Sequence, residues 1–462
     1  MTAEWWTLDA TAQADLVRSG GISAVELVQG ALDRIDANAS LNAVVGIDAE
    51  RALARARAVG TGPFAGVPFL TKDLLPQPGL RAAMGSRLFA GYVPTDPVPY
   101  TRCIDEAGLV TLGKTTSSEL GLLGSTETAL DGTTHNPWGP SWSAGGSSGG
   151  AATAVAAGLV PFAHASDGGG SIRIPAALAG LFGFKPSARA TAPATPYENP
   201  FVALTSEHCI SRSVRDSAAF LAATSASPSD RVDPGPVRPL RIGVYTTTAF
   251  GEPAAAESCE AVEHAVRVCE ALGHHVERVD RLPVSGEAVS RGFFTMAGGA
   301  VGAVRDMLAP VLGRPLAPGD VEPFTWALLA WFDGLSEEQR ALAFAGLQEQ
   351  GAAMRGFLER YDVTLCPTIG CARPEIGFLS PELPFDVALR RTEQLAGFTA
   401  VHNPAGAPSM SVPLHWTEAG LPVGVLFSAS PGADAQLLRL AYQLEEAVPW
   451  SDRWARRPGG VA

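Results

Sequence analysis

Between Gly145 and Ser171 the chain carries two glycine clusters that each enclose or run into serine. They are Gly145-Gly146-Ser147-Ser148-Gly149-Gly150 and Asp167-Gly168-Gly169-Gly170-Ser171, with 24 positions from Ser147 to Ser171. Glycine accepts positive φ and lets the backbone approach other groups closely, so each cluster predicts a tight loop whose N–H groups can converge on one point. What joins the loops constrains the fold further. The small-residue run from Gly149 to about Gly158 predicts a closely packed helix, and Val160 to Ala165 a buried strand. The two loops thus stand at the ends of one helix–strand unit.

The same rhythm runs through the chain. Strands are expected at Asn42 to Ile47, Val67 to Thr71 and Leu109 to Gly113, with helices at Glu50 to Val59 and near Tyr100 to Ala107 between them, an α/β pattern. Ahead of it, residues 8–38 predict two helices that form a lid or clasp. The second opens with the capping box Ser23-Ala24-Val25-Glu26 and carries Val25, Val28, Ala31, Leu32 and Ile35 on one stripe. Ser225 to Pro239 has the turn chemistry of a linker or long surface loop. The α/β pattern resumes with the strand Leu240 to Tyr245, a helix to about Leu272 and the strand His275 to Val279. From Ser290 to Arg360 helical periodicity dominates, with Phe293, Phe294, Met296, Phe324, Trp326, Trp331 and Phe332 either packing a core or lining a pocket. Strands at Val363 to Cys366, Met410 to Leu414 and Val423 to Phe427 precede a helix over Asp434 to Glu446.

Charge narrows the partners. A net charge of −13 argues against a nucleic-acid backbone and against anionic membranes, both of which call for clustered Lys and Arg. No stretch reaches 18 uncharged apolar residues, the run 151–165 being broken by Gly158 and Pro161. The first ten residues, MTAEWWTLDA, show no basic segment followed by an apolar one, so a cytoplasmic protein is expected. The six cysteines contain no C-x-x-C pair and read as reduced, buried apolar residues. The sole close histidine pair, His274-His275, would face opposite ways on a strand, and neither a metal nor a cofactor is expected.

Serine needs a base to become a nucleophile. No histidine lies within ten residues of Ser147, and only His164 lies that close to Ser171. Lysine usage is more informative: of 34 basic residues only Lys72, Lys114 and Lys185 are lysines. Arginine cannot release its proton, whereas a buried lysine titrates toward neutrality. Lys72 ends the apolar run Val67-Pro68-Phe69-Leu70-Thr71, which places it inside the sheet; Lys114 and Lys185 read as salt-bridge partners. Asp73 would turn to the opposite face and act structurally. Gly145-Gly146-Ser147-Ser148-Gly149 also fits G-x-S-x-G, the nucleophile elbow of an α/β-hydrolase esterase using Ser147 with His402 or His415 as base, although the residues before it read as loop. An S-x-x-K arrangement is absent.

Lys72, the loop around Ser147 and the stretch Gly168-Gly169-Gly170-Ser171-Ile172-Arg173-Ile174-Pro175-Ala176 together resemble the amidase signature family. Phe64-Ala65-Gly66-Val67-Pro68, Asn136-Pro137-Trp138 and Gly420-Leu421-Pro422-Val423-Gly424 agree with it. The resemblance, spanning roughly Thr7 to Trp450, implies an α/β fold with a mixed central sheet flanked by helices on both faces and a helical substrate-pocket insertion. It implies one amidase domain over residues 1–462: N-terminal helices at 1–40, a core at 41–225, a loop at 226–239, an α/β continuation at 240–289, the helical pocket region at 290–360 and completing strands at 361–450. Ser171 would be the acylated nucleophile, Ser147 a bridging serine on a cis peptide and Lys72 the terminal base. Gly168, Gly169, Gly170 and Ser171 would supply oxyanion-hole N–H groups, supported by Gly146, Ser148, Asp167 and Arg173. Some family members hold a substrate carboxylate with an arginine three positions after the nucleophile. Ile174 stands there instead, arguing against a small dicarboxylic half-amide. Segments such as Leu312-Gly313-Arg314-Pro315-Leu316 are similar to the branch containing nylon-oligomer cyclic-dimer hydrolases and broad-specificity amidases. The apolar, aromatic helical region 290–335 suggests as substrate a bulky or hydrophobic small-molecule amide, ester or carbamate; a homodimer is compatible. A glutaminase subunit of a tRNA-dependent amidotransferase is the alternative within the family.

Overall fold

The computed structural model describes residues 5–195, 201–227 and 229–453. In chain order the strands are β1 (Val44–Val45), β2 (Pro68–Lys72), β3 (Val110–Thr115), β4 (Glu127–Thr128), β5 (Gly132–Thr133), β6 (Phe162–Asp167), β7 (Phe182–Lys185), β8 (Ser206–Ser211), β9 (Arg241–Val244), β10 (His275–Arg278), β11 (Val363–Pro367), β12 (Ser409–Trp416) and β13 (Pro422–Ser428). Eight of them form one sheet in the order β10-β9-β11-β13-β12-β7-β8-β6, three form a second in the order β1-β3-β2, and β4-β5 is a small ribbon. The large sheet is mixed: β10, β9 and β11 run parallel to one another, while the pairs from β11 to β6 are antiparallel.

Both faces of the large sheet are covered, so its strands alternate between two apolar layers rather than between core and water. Val363 and Leu365 of β11, and Val425 and Phe427 of β13, enter one cluster with the helices Ala256–Ala271 and Asp434–Ala447; Cys366 and Leu426 enter another with the helices Gly286–Leu312 and Glu337–Leu358. The N-terminal helices Ala10–Arg18 and Ala24–Ala37 form as expected, the second with both halves of its capping box, and Val28, Ala31, Leu32 and Ile35 bury against the helix Gly149–Ala156.

Several boundaries depart from expectation for local reasons. The strand expected over Asn42 to Ile47 shrinks to two residues because Asn42 and Gly46 take left-handed φ values of 48° and 57°. β7 and β8, and the helices Val214–Ala223 and Phe385–Ala396, carried no clear pattern. Ser225 to Pro239 has no helix or strand among its described residues. All six cysteines are free, but only Cys209, Cys269 and Cys366 are buried; Cys103, Cys259 and Cys371 are partly exposed, correcting the expectation that all would be interior. No helix among the described residues is long and apolar enough to cross a membrane.

Candidate active site

Three segments meet where the two sheets adjoin. Lys72 is the last residue of β2, and its backbone N–H donates to His164 Nδ1 of β6 at 3.2 Å, tying the small sheet to the edge of the large one. β6 ends in Ser166 and Asp167 and passes into the glycine loop 168–170, followed by Ser171 and the short helix Arg173–Ala179. Ser147 lies just before the helix Gly149–Ala156, on the far side of a cis Gly146–Ser147 peptide. Gly146 is required by space: a Cβ there would run into the Ser125 carbonyl oxygen.

Lys72 Nζ donates to Ser147 Oγ at 2.7 Å and to Ser166 Oγ at 3.0 Å. The lysine is fully buried and Ser147 is 2% exposed, whereas Ser171 is part-exposed. Burial pushes the Lys72 ammonium down to about 7, with the more distant carboxylates of Glu207 and Asp167 opposing only part of that. Lys114 and Lys185 are also brought to about 7 by burial. Among the described residues neither forms the salt bridge expected of it: Lys114 Nζ donates to the Leu75 carbonyl and Lys185 Nζ to the Pro186 carbonyl at 3.0 Å. A lowered lysine pKa therefore does not single out Lys72. Its contact with a serine hydroxyl does.

The glycine loop is held from behind. Asp167 accepts from the Gly170 N–H at 2.7 Å and the Ile172 N–H at 3.0 Å, and pairs with Arg173 through Nε at 2.9 Å and Nη2 at 2.7 Å. Burial alone would raise the Asp167 carboxyl, but the Arg173 guanidinium and these donors hold it well below the usual carboxylate range. Arg173, itself fully buried, also reaches the Thr399 carbonyl, Ser409 Oγ and Asn403 Oδ1, so it anchors the loop to the C-terminal part of the chain. The Gly170 N–H, expected among the oxyanion donors, is thus already engaged by Asp167. Among the described residues the N–H groups of Gly168, Gly169 and Ser171 have no partner. Ser148 bonds the Ser166 carbonyl at 3.2 Å and braces the junction of the two loops. Asp73 faces away from Lys72 and accepts from the N–H groups of Ala83 and Gly85; Leu120, whose N–H donates to the Met84 carbonyl, forms cavity wall beside Ser147.

Sequence reasoning missed Ser166, Asn403 and His164 as parts of this constellation. A serine inside a strand, an asparagine some 230 residues from the loop it holds, and a histidine that accepts from backbone leave no local pattern.

Ser147, Ser166, Gly168, Gly169, Gly170 and Ser171 line one cavity. Its other walls are mainly apolar, including Leu74, Leu122, Val289, Phe293, Phe294 and Leu395. Of the aromatic residues expected in the helical region, Phe293 and Phe294 line this cavity, while Phe324 is 1% exposed in the core behind them. No residue of the N-terminal helices lines it, which makes them a clasp and not a lid. The nucleophile-elbow reading fails here: no strand enters Ser147, His402 is buried against the Thr399 carbonyl, and His415 packs on His264. No group of His, Cys, Asp or Glu among the described residues could hold a metal ion.

Residues 26–438 match the Amidase family, and the chain belongs to it; the protein is an amidohydrolase of the amidase signature type. Among its relatives, the "Putative amidase AmiC" of Mycobacterium tuberculosis (strain ATCC 25618 / H37Rv) is 37% identical over 96% of this chain and 95% of its own length. The 6-aminohexanoate-cyclic-dimer hydrolase of Paenarthrobacter ureafaciens is 34% identical over 97% and 96%. A solved structure of 6-aminohexanoate cyclic dimer hydrolase complexed with substrate superposes with a TM-score of 0.91 at 32% identity, covering 99% of both chains.

Proposed function

We propose that this enzyme hydrolyses a C–N amide bond in a bulky, apolar small molecule or oligomer through an acyl-enzyme on Ser171, with Ser147 relaying protons to Lys72. One observation carries the reading: a fully buried lysine, poised near neutrality, donates to a buried serine that shares an apolar cavity with a part-exposed serine on a glycine loop. Ser171 Oγ attacks the substrate carbonyl as its proton passes to Ser147 and the Ser147 proton passes to neutral Lys72. The oxyanion that forms lies toward the N–H groups of Gly168, Gly169 and Ser171, whose partial positive charge is fixed before reaction begins. The protons return along the same path to the leaving amine, and water repeats the cycle to release the acid. Gly146, Ser148, Asp167 and Arg173 hold the two loops in register. Gly170 serves that support, through its bond to Asp167.

The reading calls on no metal or cofactor and on no nucleic-acid partner, and it places the enzyme in the cytoplasm as one domain over 1–462, alone or as a homodimer. The apolar walls suit relatives named for cyclic-dimer and acylamide substrates, and esters or carbamates of similar shape fit the same chemistry. They suit glutamine poorly, because among the described residues no basic one lines the cavity to meet its carboxylate. A screen of aryl amides, cyclic and linear aminohexanoate oligomers, carbamates and glutamine tests this. Fastest turnover of an apolar amide, lost in Lys72→Met, supports it; fastest turnover of glutamine, dependent on added partner proteins, replaces it with the amidotransferase glutaminase.

A further inference from the structure

Glu393 is the one charged side chain in the cavity wall, among the described residues. It lies in the last turn of the helix Phe385–Ala396, which has no basic residue in that turn. A carboxylate there faces the negative end of the helix dipole, and no cation in the wall offsets it. Helix stability therefore gives no reason for an acid at this place. Its Oε1 accepts from Ser290 Oγ at 2.6 Å, and Ser290 is itself part of the wall. That bond orients the carboxyl group and leaves Oε2 without a partner among the described residues.

The position relative to the reacting loop follows from helix geometry. Ser290 and Phe293 are three residues apart on the helix Gly286–Leu312 and so share a face. The Phe293 ring lies 3.4 Å from where a Cβ on Gly169 would stand. The Ser290–Glu393 pair therefore sits one helical turn, roughly 5 Å, along the wall from the ring that abuts the glycine loop.

A single carboxylate in a largely apolar cavity is costly when unpaired and favourable when a cation reaches it with good geometry. It also repels a substrate that ends in a carboxylate, so it discriminates in both directions. We infer that Glu393 is a specificity-determining residue that receives the protonated amine of the substrate, making the preferred class an amide with an apolar chain that carries an ammonium group. This rests on the proposed acyl-enzyme reading for its chemistry, but the recognition step is testable without turnover.

Titration calorimetry of wild type, Glu393→Gln and Glu393→Lys with hexylammonium chloride, 1-hexanol and sodium hexanoate reads recognition directly. Glu393→Gln retains the acceptor for Ser290 and the side-chain volume. The expected result is hexylammonium binding to wild type at least tenfold tighter than 1-hexanol, loss of that preference in Glu393→Gln, and a preference for hexanoate in Glu393→Lys. Equal affinities in wild type, or a preference that survives in Glu393→Gln, overturns the inference. Hydrolysis of 6-aminohexanoyl and heptanoyl p-nitroanilides adds a second readout: KM should rise for the amino substrate alone in Glu393→Gln. Ammonium selectivity without hydrolysis of either anilide would sink the proposed acyl-enzyme chemistry on apolar amides and leave Glu393 in its role, whereas hydrolysis of both with equal KM would do the reverse.

Discussion

Lys72 illustrates how burial becomes reactivity. At its reference pKa a lysine is protonated at neutral pH and useless as a base; removal from water brings Lys72 to about 7, so a large fraction is neutral where enzymes work. The sign follows directly: the base form gains as pH rises, so kcat/KM should climb through pH 7 and level off above it, and a profile flat from pH 5 to 9 would remove Lys72 from the mechanism. Lys72→Met should lower kcat/KM by roughly 10²–10⁴-fold, the usual range for losing a general base, while circular dichroism shows a folded chain. Arg173 makes the opposite point: a fully buried charge beside the proposed nucleophile spends its bonds on Asp167, Thr399, Asn403 and Ser409. Arg173→Met leaves Asp167 buried without its partner and should cost about 3–5 kcal/mol in urea unfolding at neutral pH. Because Asp167 is held below its unfolded pKa, the pair's stabilisation is complete above about pH 4 and fades on acidification, so the gap between variant and wild type should narrow there. The serines, the glycines and Lys72 were legible because they combine rare composition with fixed spacing. Ser166, Asn403 and Glu393 were not, since each is an ordinary residue in an ordinary element and acquires its role only from what folding brings beside it.

Elements were legible where periodicity or capping chemistry was local. The capping box at Ser23 forms with both of its bonds, and Ser23→Ala should cost about 1 kcal/mol of stability with kcat/KM unchanged, since that helix lines no part of the cavity. Gly146→Ala is its counterpart at the site. The added methyl meets the Ser125 backbone, which cannot swing aside, so it should destabilise by roughly 1–3 kcal/mol and also lower kcat through Ser147. β8 shows why other elements escaped notice: Ser206-Glu207-His208-Cys209-Ile210-Ser211 is a central strand with few apolar side chains. Part of that polarity is met by bonds such as His208 Nε2 with Ser217 Oγ at 2.8 Å and Ser206 Oγ to the Pro186 carbonyl at 3.1 Å. Hydrophobic pattern cannot reveal a strand whose polarity is satisfied by residues from other segments.

Across the molecule, three buried lysines make stability depend on alkaline pH. Each loses its proton through about pH 7 when folded and keeps it to about 10.4 when unfolded, so the unfolded chain binds more protons and each lysine's destabilising contribution shrinks as pH rises from 7 to 10. Buried thiols such as Cys366, pushed up to about 12, act with the opposite sign from about pH 9 upward, so the lysine effect is cleanest as a difference between variants. The stability of Lys114→Met relative to wild type should fall by about 1.4 kcal/mol per pH unit between pH 7 and 10; a constant difference would show that Lys114 stays protonated in the fold. The assignment of nucleophile, relay and base is tested most directly by intact-mass and peptide mass spectrometry after treatment with phenylmethylsulfonyl fluoride, comparing wild type, Ser171→Ala and Lys72→Met. One sulfonyl adduct on the peptide carrying Ser171, absent in Ser171→Ala and slowed in Lys72→Met, is the expected result. An adduct that persists on Ser147 in Ser171→Ala, formed at an undiminished rate in Lys72→Met, would overturn the assignment.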